Sequence, residues 1–284
     1  MNNEILTEVL DKINNIPPMP SVVMKILALL RNPSANIRDI VSVVRLDEKL
    51  TFQVLKLANS AHYNRTQQRV SSIDEALIRL GNNTLINIVL AKSCSGYFSG
   101  AGEGYDLRQG ELWRHSIACA LMSQRLADRT GFQQRELLFT TCMLHDVGKV
   151  ILDAFITKKR GEIQTALDKE HVTFTRAEMD VLGISHSEIG ARLLEKWNFP
   201  LEIISAVRYH HEPERAVNAK KLAYHVSLSD LLCLMLGIGL GLGGLSYESQ
   251  AEVFNMFQLT EADVQRLFVT LLEELRHADE LLKT

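Results

Sequence analysis

Leu144-His145-Asp146-Val147-Gly148-Lys149 lies within a run of helical periodicity that extends from Gln134 to Phe155. Neighbouring helical residues point about 100° apart, so His145 and Asp146 address adjacent points on one side. A neutral imidazole beside a carboxylate suits iron, manganese, zinc or nickel better than calcium. Gly148 permits close backbone approach. Lys149, one turn beyond His145, can present positive charge beside a metal-bound anion. More such residues follow the same pattern. His115 sits in an apolar helix with Ile117 and Leu121, a costly place for an idle imidazole. His186 begins a helix, and His210-His211 ends one that Pro213 stops. Asp230 lies between Leu228 and Leu231-Leu232, where a cation would remove the desolvation penalty of an unpaired carboxylate. Any one of these alone is more often a hydrogen-bonded core side chain. Their order on successive predicted helices points to shared metal. His62, His171, His225 and His277 lack such company and are taken as surface or core residues.

Helical periodicity continues on both sides, and β-alternation is scarce. Asn15-Ile16-Pro17-Pro18-Met19-Pro20 is a stiff extended lead-in. Ser21 is expected to cap Val22 to Leu30, and Asn32-Pro33 stops that stripe. Ser34 or Asn36 restarts a helix through Val44, and Asp47 opens Glu48 to Asn59. Ser72-Ile73-Asp74-Glu75 fits a capping box whose helix runs to Gly81, and Thr84 to Lys92 follows. Ser99-Gly100-Ala101-Gly102-Glu103-Gly104 then connects to longer helices. These are predicted over 112–129, 134–155, 162–170, 176–182, 186–197, 201–209, 220–236 and 260–282. Leu236 to Gly244 has no Gly-Lys-Ser/Thr, so it is a helix end and close-packed turn rather than a P-loop. The expected fold class is all-α, with a helical lobe at 1–104 and a metal-binding helical domain at 105–284.

The 284 residues are 46% hydrophobic and 23% charged, enough for a substantial core. A formal charge of −3 argues against a sequence-wide grip on nucleic acid or anionic membrane. A helix–turn–helix at Ser72 to Lys92 carries few bases besides Arg79 and Lys92, so plain packing is the simpler expectation. No apolar stretch reaches membrane-spanning length, and Met1-Asn2-Asn3-Glu4 lacks a secretory pattern. Cys94, Cys119, Cys142 and Cys233 are dispersed and form no C-x-x-C. They are read as reduced core thiols, which makes the cytoplasm the expected compartment.

The order His115, His145-Asp146, Asp230 resembles the metal-dependent HD phosphohydrolase superfamily. His186, His210-His211 and His-Asp-x-Gly-Lys are similar to its dinuclear branch, which includes the HD-GYP phosphodiesterases. Ile16-Pro17-Pro18-Met19-Pro20, Leu55-Lys56-Leu57-Ala58-Asn59-Ser60-Ala61-His62-Tyr63, Val70 to Leu77 and Leu112-Trp113-Arg114-His115-Ser116 resemble the HDOD domain, an HD-related output domain of bacterial signalling proteins. The resemblance covers about residues 12 to 240. It implies an N-terminal helical lobe packed on an HD-type bundle, and signalling often without catalysis. It further implies two divalent metals bridged by Asp146, one held by His115, His145 and Asp230, the other by His186, His210 and His211. Two neighbouring cations can clamp a phosphoryl group, with Lys149 offsetting its charge, so Asp146 and Lys149 are the candidate catalytic residues. A donor set of imidazoles and carboxylates without cysteine favours iron or manganese, and nickel or zinc also fits. No Gly-Tyr-Pro follows His210-His211-Glu212, a departure from the HD-GYP pattern. The expected partners are a signalling protein or a small phosphorylated ligand. The expected function is a regulatory protein with a dinuclear centre that can hydrolyse a phosphate ester or nucleotide. The alternative makes hydrolysis its main role.

Overall fold

The computed structural model describes residues 2–60, 62–64, 68–170, 172–242 and 250–277. Helices and turns account for its regular structure, with no strand among the described residues. His171, Ala61, Gly243-Gly244 and the reach of the last helix to Leu282 lie outside them, as does the side chain of His277. No described helix is long and apolar enough to cross a membrane. The first helix is α1 (Asn2–Asn15). Contacts divide the chain into two units, Pro18–Gly96 with Leu275–Thr284, and Met1–Pro17 with Tyr97–Glu274.

The smaller unit is built from helices whose boundaries follow local capping chemistry. In α2 (Ser21–Leu30), Ser21 is the first helical residue rather than the cap. Pro20, at φ −51° and ψ 132°, supplies the non-helical backbone with no side-chain bond. Asn36 caps α3 (Ile37–Arg45) by accepting the Arg38 N–H, and Asp39 reciprocates by accepting the Asn36 N–H. Asp47 accepts the Leu50 N–H at the start of α4 (Glu48–Ala58). Ser72 does the same for Glu75 in α5 (Ile73–Leu80), but the Glu75 carboxylate reaches past Ser72 to the Ser71 N–H at 2.7 Å. Gly81, at φ +77°, ends α5 and leads straight into α6 (Asn82–Cys94), so α6 starts earlier than the apolar pattern from Thr84 suggests. The stripes Val23-Ile26-Leu27, Ile40-Val41-Val44, Leu50-Val54-Leu57 and Ile73-Ala76-Leu80 are buried. Each large aliphatic side chain so covered contributes about 1.5–3 kcal/mol. Asn59 pins the following loop: its amide donates to Leu55 O and Val70 O, and its oxygen accepts the Val70 N–H. That gives the Leu-Ala-Asn-Ser segment a structural reason.

The larger unit holds α7 (Glu111–Thr130), α8 (Arg135–Leu144), α9 (Val147–Lys158), α10 (Arg160–Glu170), α11 (Phe174–Leu182), α12 (His186–Lys196), α13 (Leu201–Arg208), α14 (Lys220–Met235), α15 (Gln250–Phe257) and most of α16 (Glu261–His277). It also takes in α1, where the expected lobe at 1–104 differs from the observed division. Lys196 donates to Ile13 O, Asn14 O and Ile16 O at 2.8–3.2 Å, placing a cation on carbonyls at the α1 C-terminus. Trp197 Nε1 donates to Pro17 O at 2.9 Å. The single helix expected over 134–155 is two, because the chain turns at His145-Asp146 between α8 and α9. The last helix packs on this chain: Arg129 makes a paired hydrogen bond with Asp263, and Leu267 and Leu271 are buried.

Candidate metal centre

Helix ends, rather than helix middles, position most of the histidines. His145 follows the last residue of α8, and its Nδ1 faces Cys142 O at 2.6 Å. His210 stands just past α13, with Nδ1 facing Val207 O at 2.7 Å. Each ring thereby satisfies a carbonyl at a helix C-terminus. His115, inside α7, faces Ile238 O at 3.0 Å. That carbonyl is presented by the turn ending α14, where Gly237 N–H reaches Leu234 O and Ile238 N–H reaches Cys233 O, a Schellman closure with Gly237 at φ +76°. The glycine-rich segment after α14 is therefore part of the site's support. A Cβ on Gly239 would come within 2.4 Å of His115 Nδ1. His186 opens α12 behind its cap Ser185, and its Nδ1 meets Glu178 Oε2 at 2.7 Å. Glu178, fully buried on α11, also accepts the His186 backbone N–H and the Tyr105 hydroxyl.

These contacts fix the tautomers. A carbonyl oxygen only accepts, so a neutral His115, His145 or His210 carries its proton on Nδ1, and the bare Nε2 lone pair turns inward. There the Nε2 atoms meet oxygens. His115 lies 3.0 Å from Asp230 Oδ1 and 3.6 Å from Asp146 Oδ2. His145 lies 3.5 Å from Asp146 Oδ2 and 3.7 Å from Asp230 Oδ1. His186 is 3.4 Å and His210 4.0 Å from Asp146 Oδ1. His186 Nε2 and His211 Nε2 are 2.9 Å apart. Where the Nε2 atoms of His115, His145, His186 and His210 meet the two carboxylates, acceptors face acceptors in a buried space, which is unfavourable without a cation between them. His145 Nε2 and His210 Nε2 are fully buried and have no hydrogen-bond partner. Asp146 occupies the N-cap position of α9 but caps nothing, its carboxylate being turned to the histidines. The donor atoms form three overlapping groups, each within 4.8 Å: His115, Cys119, His145 and Asp230; His145, Asp146 and His210; His186, His210 and His211. Orphaned imidazole nitrogens and a nitrogen–oxygen donor set fit divalent transition metals.

Charge favours the same state at the carboxylates, His210 and His211; at His145, burial is outweighed by Asp146 and Asp230, which raise it. Burial works to raise the Asp146 carboxyl, but His145, Lys149, His186 and His115 outweigh it and hold the group well below the usual carboxylate range. Asp230 is likewise lowered against burial by the neighbouring His115 and His145. Burial, reinforced by His211, His145 and His186, pushes His210 well below its ordinary value. Burial and then His186 lower His211 to about 3. Lys149 is raised despite burial because Asp146 and Asp230 hold its charge, and its Nζ donates to Asp146 Oδ2 at 2.7 Å. At neutral pH the carboxylates are ionised while His210 and His211 are neutral, the forms that ligate metal.

His115, His145, Asp146, His186, His210, His211, Asp230 and Lys149 thus stand in one cluster of the larger unit. His225 does not: its nitrogens face Lys221 O and Thr130 Oγ1, a satisfied core histidine. His62 lies in the smaller unit beside Tyr63. Sequence reasoning missed Glu178 and Tyr105, and it read Cys119 as a core thiol without placing it beside His115. Glu178 shares a helix face with Phe174 and Leu182, one turn on either side, so an acid on an apolar stripe was the available signal. Cys119 was visible as the residue one turn after His115. Glu178→Ala should lower metal affinity about 10–100-fold, the usual effect of losing a carboxylate that orients a ligating imidazole. Competition with a chromogenic chelator measures this, and unchanged affinity would remove Glu178 from the site.

The HDOD domain family profile matches residues 16–213, a shorter span than the resemblance suggested. A curated, uncharacterized protein of Treponema pallidum (strain Nichols) is 27% identical over 233 residues, 80% of this chain, which spans only 44% of that relative's length. The crystal structure of an HDOD domain protein of unknown function from Geobacter sulfurreducens is similar at 27% identity and TM-score 0.76, covering 99% of this chain and 98% of that one. A protein from Marinobacter aquaeolei VT8, provisionally named for signal transduction, shares the fold at 24% identity and TM-score 0.77, covering 100% of this chain and 67% of that one. With the family profile spanning most of an all-α chain, this protein belongs to the HDOD domain family.

Proposed function

We propose that this chain is a metal-binding signalling module of the cytoplasm that reports to a partner protein or responds to a small phosphorylated ligand. The inward-turned Nε2 atoms carry the metal reading, above all the orphaned ones of His145 and His210. The provisional signal-transduction name of the Marinobacter protein supports the signalling half. In this reading His115, His145 and Asp230 would hold one divalent ion and His186, His210 and His211 another, with Asp146 in reach of both sets. A bound pair of cations would supply Lewis acidity toward a phosphoryl group. Lys149, 17% exposed at the side chain and paired to Asp146, would place a fixed positive charge beside that group. His115, His145, Asp146, His186 and His210 are almost fully covered, so an approaching ligand meets Lys149, His211 and the edge of Asp230.

Hydrolysis of a phosphate ester is the second reading, favoured by the presence of a complete donor set beside Lys149. Metal-loaded protein assayed on generic phosphodiester and phosphomonoester substrates separates the two. Turnover that Asp146→Ala abolishes makes hydrolysis the function. Stoichiometric metal with no turnover supports the signalling module.

A further inference from the structure

The thiol of Cys119 lies inside the donor set that sequence reasoning assembled without it. Its place one turn after His115 puts both residues on the buried face of α7, and Sγ lies 3.5 Å from His115 Nε2. The Sγ, His115, His145 and Asp230 donor atoms all lie within 4.8 Å of one another. At near-tetrahedral angles, Zn–N of about 2.0–2.1 Å and Zn–S of about 2.3 Å set a nitrogen–sulfur edge of about 3.5 Å, with the shared Asp146 as a further donor. The nitrogen–oxygen edges here, 3.0 Å from His115 and 3.7 Å from His145 to Asp230, bracket the corresponding value of about 3.4 Å. A second observation marks the same point: His145 Nε2 is fully buried, has no hydrogen-bond partner and belongs to this group. The other thiols differ. Cys94 sits in the smaller unit, 3.9 Å from Met19 Sδ. Cys142 and Cys233 are buried but belong to none of the donor groups.

We propose that Cys119 is a metal ligand, joining His115, His145, Asp230 and the shared Asp146 in a thiolate-containing position that selects zinc or cobalt over manganese. This rests on the metal-centre reading above. On binding, the S–H bond breaks, a metal–sulfur bond forms, and the proton leaves to solvent. A thiolate is soft and manganese is hard, so the donor set departs from the iron-or-manganese preference expected for imidazole and carboxylate alone.

The full chain and its Cys119→Ser variant, loaded with cobalt(II), provide the test. The wild-type protein is expected to show near-ultraviolet thiolate-to-cobalt charge-transfer absorption, which Cys119→Ser removes. The variant should also lose more than about tenfold in zinc affinity while its manganese affinity stays within about twofold, a selectivity that lost packing alone would not produce. Cobalt bound at the same stoichiometry without that absorption, or absorption that persists in Cys119→Ser, overturns the assignment and leaves the metal centre standing. Failure of the wild-type chain to bind cobalt or zinc at all overturns both.

Discussion

Asp146→Ala is expected to release divalent metal from both proposed ion positions while the helices persist. The Asp146 oxygens lie between 3.4 and 4.0 Å from the Nε2 atoms of His115, His145, His186 and His210, so both positions share this carboxylate. Removing it leaves imidazoles without a shared anion and strips Lys149 of its short ion pair. Loss of one partner from a buried pair costs about 3–5 kcal/mol in the metal-free protein, an upper figure here because Lys149 is not fully covered. Asp146→Asn separates the effects by keeping the shape and losing the charge. Both variants should fall from about two equivalents of metal to near none. Metal analysis after dialysis, with circular dichroism as the control for folding, makes the comparison. Full metal content in Asp146→Asn would contradict a shared carboxylate.

Gly148→Ala should produce the largest loss of stability. A Cβ at this position would lie 1.9 Å from His186 O and 2.7 Å from Gly190 N, both backbone atoms that cannot swing aside. Helices α9 and α12 would have to separate by roughly an ångström or more, beyond the usual 1–3 kcal/mol of overpacking. We expect at least about 3 kcal/mol of destabilisation, about 6–12 °C in Tm for a chain of this size. Metal affinity should fall with it, since Asp146 precedes α9 and His186 opens α12. Gly161→Ala in α10 is the control. Its added Cβ meets nothing within 4 Å, so the helix should gain about 0.5–1 kcal/mol. Equal Tm values for the two variants would refute the close helix approach.

The contrast between Gly148 and Gly161 shows what was legible in the sequence. The all-α class, the caps at Asn36, Asp47 and Ser72, and the stop at Gly81 follow from local chemistry, because each feature involves residues within a few positions of one another. The set of histidines and aspartates was legible because polar residues at apolar positions need partners. The turn at His145-Asp146 was not, since apolar periodicity runs through it, and the close approach of α9 to α12 at Gly148 is non-local. Lys196 and Trp197 bonding the end of α1 are contacts across the chain that no local pattern announces. The support of His115 by Ile238 O is equally non-local, although the glycine run after α14 hinted at a close approach. Cys119 is a free, buried thiol as expected, and its place beside the histidines was hidden for a different reason: a buried thiol is usually inert core, and only distance to His115 sets it apart.

The most direct trial of the account is the divalent-metal content of the untagged full chain, purified without a metal column and measured by elemental analysis. The buried, acceptor-lined cluster predicts about two equivalents per chain, released on acidification as the imidazoles take up protons. A chain that folds fully with no stoichiometric metal, and takes up none when zinc, cobalt, iron or manganese is offered, would contradict it.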